Sequence, residues 1–190
     1  MAVYAHLDPE ELYRYSLDDY HRLIDAGVFG EDERVELLDG ILVRMSPKTP
    51  RHERAVRWLA RWLIRALDEP YEVGVGNPLT IGSSEPEPDL VVFERGTPEP
   101  YHPATAVLVI EVAVSSRQRD LVAKPSVYVA AGIPEYWVFD VDAERLVIHR
   151  QPGSDGYGET FDAAPDTELR ALTTAIPPLS LRDLLNATRA

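Results

Sequence analysis

Ala106-Val-Leu-Val-Ile-Glu-Val-Ala-Val114 is the most apolar run of the chain, and it carries a single acid, Glu111. An unbroken stretch of aliphatic and β-branched residues reads as a central strand covered on both faces. Upstream, Pro86-Glu-Pro-Asp-Leu-Val-Val-Phe93 enters another strand through Asp89. Alternation in the longer run puts Val109, Glu111 and Ala113 on one face and Ile110, Val112 and Val114 on the other. Glu111 therefore points away from the bulkier face, beside the small Ala113, where a ligand has room. A lone acid in a buried strand is costly unless it is paired or holds a metal. Two carboxylates at the ends of adjacent strands make a hard oxygen site suited to Mg²⁺ or Mn²⁺. The competing reading is a structural network in which arginines neutralise both acids.

Working outward, the segment after the strand, SSRQRDLVAKPSVYVAAG, reads as a loop and then a helix ending at Gly132. Proline fits best in a first turn. So the helix either starts close to Lys124 or starts near Arg117 and kinks at Pro125. Residues 135–141 and 145–151 read as paired strands, 168–173 as a further strand, and Ser180 as the cap of a last short helix, LRDLL. On the N-terminal side, Ser16 opens a helix near 16–26 that Gly27 stops. Asp39-Gly40 lies between two β-rich runs, a strong hairpin signal. From Pro50 to Leu67, Val56, Leu59, Ala60, Leu63 and Leu67 form a helical apolar stripe. Short strands are expected at 71–75 and 79–81. The order predicts a mixed α/β fold, with residues 1–190 as a single domain.

Further candidates surround the two acids. Of the 19 Lys and Arg residues, only Lys48 and Lys124 are lysine. A lysine near water and phosphate positions the nucleophile or stabilises developing charge, and arginine replaces it poorly where a proton moves. The alternative is a surface Lys124 paired with Asp120 on one helix. Glu36, among Val35, Leu37 and Leu38, is either a metal ligand, a general base or a salt-bridge partner. His52 opens the arginine helix and is either a site residue or a helix-start hydrogen bonder. Arg54, Arg57, Arg61 and Arg65 form a stripe that meets phosphate, or else a solvated face. Trp58 and Trp62 flank it, as stacking platforms or subunit contacts. No glycine-rich phosphate loop is present, since GVGNPL at 74–79 has neither the spacing nor a following helix.

Composition narrows the classes. The absence of cysteine excludes disulfides, thiolate catalysis and cysteine–zinc sites. A net charge of −13 argues against binding nucleic acid through overall charge, so a local basic patch or a metal is needed. No stretch approaches the roughly 20 apolar residues of a membrane span. MAVYAHLDPEEL lacks a leader's basic start and apolar run, so the expected location is cytoplasmic.

Taken together, VELLDG, His52, PEPDLVVF, IEVAVSS with the following Asp120, Lys124, Tyr128 and GIPEYWVFD resemble the Uma2 family. This family, also called DUF820, comprises PD-(D/E)XK-type restriction endonucleases. The resemblance runs from about Glu36 to Val147. It implies a restriction-endonuclease-like mixed β-sheet flanked by helices, with an N-terminal helix and β-hairpin. It implies that Asp89 and Glu111 bind the metal, with Glu36 counted in the site. The wider superfamily continues Glu-x-Lys, whereas this chain reads Glu111-Val112-Ala113. In Uma2-like sequences the lysine has moved to the following helix, where Lys124 stands. The implied activity is Mg²⁺- or Mn²⁺-assisted phosphodiester hydrolysis of nucleic acid, DNA foremost. Asp89, Glu111 and the Val112 carbonyl would hold the ion; on residue chemistry, and not on the resemblance, His52, Arg54, Arg57 and Arg61 are the candidate substrate contacts. Two other readings are a nuclease fold kept as a binding or regulatory module, and a structural homo-oligomer. A dimer would also suit a double-strand cut.

Overall fold

The computed structural model describes residues 8–30, 33–166, 168–173 and 175–189. Residues 1–7, part of the stretch read above for a leader, lie outside them.

The order begins with helix α1 (Leu17–Asp25), the hairpin β1 (Val35–Leu38) and β2 (Ile41–Arg44), and helix α2 (Pro50–Ala66). Strands β3 (Tyr71–Val75), β4 (Leu90–Glu94) and β5 (Leu108–Ala113) follow, then helix α3 (Lys124–Ala130). Strands β6 (Glu135–Asp140), β7 (Arg145–Gly153) and β8 (Gly156–Asp162) complete the main sheet. A short pair, β9 (Glu168–Leu169) and β10 (Leu179–Ser180), precedes helix α4 (Leu181–Arg189).

The sheet runs β3-β4-β5-β6-β7-β8, with β5 and β6 parallel and every other neighbour antiparallel. A parallel neighbour requires a crossover, and α3 supplies it. Period two splits the core. Leu90, Val92, Ile110, Val112 and Trp137 pack with Leu59 and Leu63 of α2 and Leu184 of α4. Val91, Val109, Ala113 and Val138 pack with Tyr128 of α3. Helices thus flank both faces of one mixed sheet.

Local signals explain the elements. Ser16 caps α1 by accepting the Asp19 N–H at 3.1 Å, and Ser180 caps α4 by accepting that of Asp183 at 3.2 Å. Thr49 caps α2, with Pro50 in its first turn. The hairpin turns at Asp39 (φ 49°) and Gly40 (φ 75°), the left-handed pair a two-residue turn demands. A Cβ on Gly40 would stand 2.7 Å from the Arg14 Cβ. Gly40→Ala is therefore expected to lower stability by about 1–3 kcal/mol, read as an earlier urea midpoint with unchanged slope.

Three expectations shift. Residues 79–81 form no strand: Ile81 makes only an isolated bridge to Ser84. The strand near 168–173 shrinks to Glu168–Leu169. Strand β8 was not anticipated, because GYGETFD is a largely exposed edge with no apolar run to mark it. The segment before Pro125 meets both of its alternatives. It turns helical at Arg117, runs as a π turn over Arg119–Ala123, and continues as α3. The Lys124 N–H bonds to the Arg119 carbonyl five residues back, so the ladder steps around the missing N–H of Pro125.

Candidate active site

The β4–β5 register pairs Leu90 with Ile110, so one step further Asp89 stands across from Glu111. The Asp89 N–H approaches Glu111 Oε2 at 3.4 Å. Asp89 Oδ2 accepts the Val112 N–H at 2.9 Å and lies 3.0 Å from His52 Nε2 at the start of α2. Glu111 is on the α3 face, as alternation predicts. Its Oε1 accepts from Lys124 Nζ at 2.6 Å and from the Tyr128 hydroxyl at 3.2 Å.

Lys124 is not a surface lysine. It is 1% exposed, and its Nζ also lies 3.0 Å from Glu36 Oε2. Glu36, 1% exposed, arrives on β1, which is tied to the body by a bridge between Leu37 and Glu85. The Glu87 N–H donates to Glu36 Oε2 at 3.2 Å. Asp120 joins from the π turn, where its carboxylate accepts from the Ser116 hydroxyl. Arg119 Nε sits 3.1 Å from Glu36 Oε1 and 3.5 Å from Asp120 Oδ1, yet none of these three atoms has an aligned hydrogen bond.

Electrostatics follow from this crowding. Burial raises the Glu111 carboxyl well above the usual range; Lys124 opposes that shift, while Asp120, Asp89 and Glu36 add to it. Burial raises Asp120 too, against the pull of Lys124. For Lys124, burial disfavours the ammonium, but Glu111, Glu36 and Asp120 together outweigh it and hold its pKa above the ordinary value. The surrounding carboxylates thus favour the ammonium form of Lys124.

Asp89, Glu111, Asp120 and Glu87 line a small cavity of about 30 Å³ together with Lys48, Arg34 and Arg119. Beside it, Arg34, Arg44, Lys48 and Pro47 wall a wider concavity of about 710 Å³. Both lysines of the chain therefore line the acid cleft. Lys48 is exposed and makes no ion pair among the described residues. Sequence reasoning passed over Lys48, although its rarity was the same signal that singled out Lys124.

The anticipated phosphate contacts divide. His52 is at the cleft. Arg54 turns toward α4 and donates to the Thr188 carbonyl at 3.1 Å, a tertiary clasp. Arg57 and Arg61 are exposed further along α2 and do not line the acid cavity. Trp58 and Trp62 pack against the core, with Trp62 stacked on Trp137 at 6.3 Å between ring centroids, so they offer no free platform to a base.

Similarity to known proteins agrees with this architecture. A crystal structure of a DUF820 protein from Anabaena variabilis, described as a "putative nuclease", superposes with a TM-score of 0.75 at 17% identity, over 91% of this chain and 98% of the other. No protein among those with curated functions matches. The Uma2 profile, described as "Putative restriction endonuclease", matches residues 17–184, and this chain belongs to the Uma2 family.

Proposed function

We propose that this chain is a metal-dependent nuclease hydrolysing phosphodiester bonds of nucleic acid, DNA foremost, from the cytoplasm and as one domain over 1–190. The observation that supports it best is the meeting of Asp89 and Glu111 across adjacent strands, with Lys124 Nζ 2.6 Å from Glu111. Among the described residues no arginine pairs with either acid, so the structural-network alternative loses its main support.

The donors suit a hard dication. Among the described residues, Asp89, Glu111, Glu36 and Asp120 form ion pairs with only two Lys or Arg side chains, Lys124 and Arg119, so four carboxyl groups share two cations. Two acids, rather than a full protein cage, suit Mg²⁺, which keeps waters and takes substrate phosphate as a ligand. Asp89 and Glu111, with the Val112 carbonyl, would hold the ion. An ion held there would supply Lewis acidity toward the phosphoryl oxygen and would make an attacking water more acidic.

The chain's own groups do the rest. His52 and the Val112 N–H fix the Asp89 carboxylate. The Lys124 ammonium, favoured by the carboxylates around it, stabilises negative charge developing on the phosphate. Glu36, bonded to Lys124, positions that ammonium; this fits the geometry better than a role as metal ligand or base. Lys48 offers a cation with no ion pair among the described residues at the cleft, beside Arg34, which pairs with Glu87, and Arg44, which pairs with Glu33. A dimer would bring two clefts to two strands.

The test is Mg²⁺- and Mn²⁺-dependent cleavage of plasmid, single-stranded DNA and RNA. Cleavage by the wild type that Glu111→Gln abolishes is the expected result. No cleavage of any substrate, with no Mg²⁺ binding by calorimetry, would replace this reading with a binding module.

A further inference from the structure

We propose that His21, Glu85 and His102 form a second metal site, for a transition-metal dication of the Zn²⁺ type, distinct from the Asp89–Glu111 cleft. Glu85 is 4% exposed, and among the described residues its carboxylate pairs with no lysine or arginine. Its ionic partners are two imidazoles. His21 Nε2 lies 2.9 Å from Oε2, and His102 Nε2 lies 3.5 Å from Oε1. One ligand atom from each of the three residues falls within 4.8 Å of the others. Tetrahedral Zn²⁺ with ligand bonds of about 2.1 Å sets neighbouring donors about 3.4 Å apart, so small side-chain shifts close the set. No other trio of such residues is this close among the described residues.

The donor chemistry selects the ion. Two imidazole nitrogens and one carboxylate favour Zn²⁺, Co²⁺ or Ni²⁺ over Mg²⁺. The imidazoles are partly exposed, at 21% and 35%, which leaves an access path and a fourth position for water. Supporting contacts hold the ligands in place. The Tyr101 ring stacks on His21 at 3.9 Å, and its hydroxyl donates to Asp18 at 2.5 Å. The Thr80 hydroxyl lies 3.4 Å from Glu85 Oε2 and accepts the backbone N–H of His102 at 2.9 Å. Such outer contacts fix ligand orientation.

The three ligands come from three separate segments: α1, the residue that bridges to β1, and the loop before β5. A bound ion would staple α1 and that loop to the strand that carries Glu36.

The test is calorimetric titration with Zn²⁺ and with Mg²⁺, together with Co²⁺ visible absorption and thermal unfolding. Wild type is compared with His21→Phe, which keeps a ring against Tyr101, with His102→Gln and with Asp89→Asn. The expected result is Zn²⁺ binding that raises the unfolding temperature, and a Co²⁺ spectrum with tetrahedral bands. Supporting-residue changes cost 10–100-fold in affinity, so losing a ligand should cost at least about 100-fold. Asp89→Asn should leave this binding intact. The proposal is overturned if wild type binds no Zn²⁺ beyond what Asp89→Asn removes, or if both histidine variants bind it with wild-type affinity. Folding of each variant is checked by its cooperative melt without metal, and the wild-type Co²⁺ spectrum decides the matter independently of any variant.

Discussion

Lys124→Ala is expected to lower the unfolding free energy by about 3–5 kcal/mol, the cost of breaking a buried ion pair from one side, and to abolish cleavage. The ammonium is 1% exposed and stands 2.6 Å from Glu111 and 3.0 Å from Glu36. Without it, among the described residues Glu36 keeps only Arg119 as an ionic partner and Glu111 keeps none. The loss should depend on pH, and its sign is fixed. Burial already raises the Glu111 pKa, and the Lys124 ammonium holds it down. In the variant the folded pKa climbs further above the unfolded one, so the folded state binds the extra proton between the two values. Stability then falls as pH rises through that window. The deficit against wild type, from urea unfolding, should be smaller at pH 5 than at pH 8. Added Mg²⁺ should restore part of it, since a dication supplies the missing charge. An equal deficit at both pH values, unmoved by Mg²⁺, would mean that Lys124 acts there as packing and not as charge.

The largest effect on activity with the least effect on folding is expected from Asp89→Asn. Asparagine keeps the shape, and its side-chain oxygen can still accept the Val112 N–H. What disappears is the negative charge. A bound metal contributes several kcal/mol of transition-state stabilisation, and each 1.36 kcal/mol is tenfold in rate. Single-turnover cleavage should therefore fall by about 10³-fold or more, with a melt close to wild type and weakened Mg²⁺ binding. Full activity in this variant would remove Asp89 from the metal and with it the proposed mechanism.

Much of the site was legible because its residues violate local expectation. Glu111 interrupts an otherwise apolar strand, Asp89 opens another, and Lys124 stands out in an arginine-rich chain. Alternation alone gave the face of Glu111, and that face is where α3 delivers Lys124 and Tyr128. What local pattern leaves open depends on long-range packing. The spacing of the arginine stripe is helical whether it meets phosphate or another helix, and only the position of α4 reveals that Arg54 clasps Thr188. Lys48 and Arg34 sit in loops without periodicity, so nothing local directs them to the cleft. The π turn was half visible: Pro125 demanded an irregularity but could not say whether the helix begins there or yields around it. The convergence of His21, Glu85 and His102 has no sequence signature, because 64 residues separate the first two.

The bridge between Leu37 and Glu85 also gives the cleft a place in time. A ribosome extends the chain at about 5–20 residues per second, in order. The hairpin with Glu36 is made early, then waits for its anchoring residue, for the strand of Glu111, and finally for the helix that ends at Ala130. Every shorter nascent chain holds the acids apart from their cation. The cell that makes this protein therefore meets the assembled cleft only after the helix that ends at Ala130 has been made.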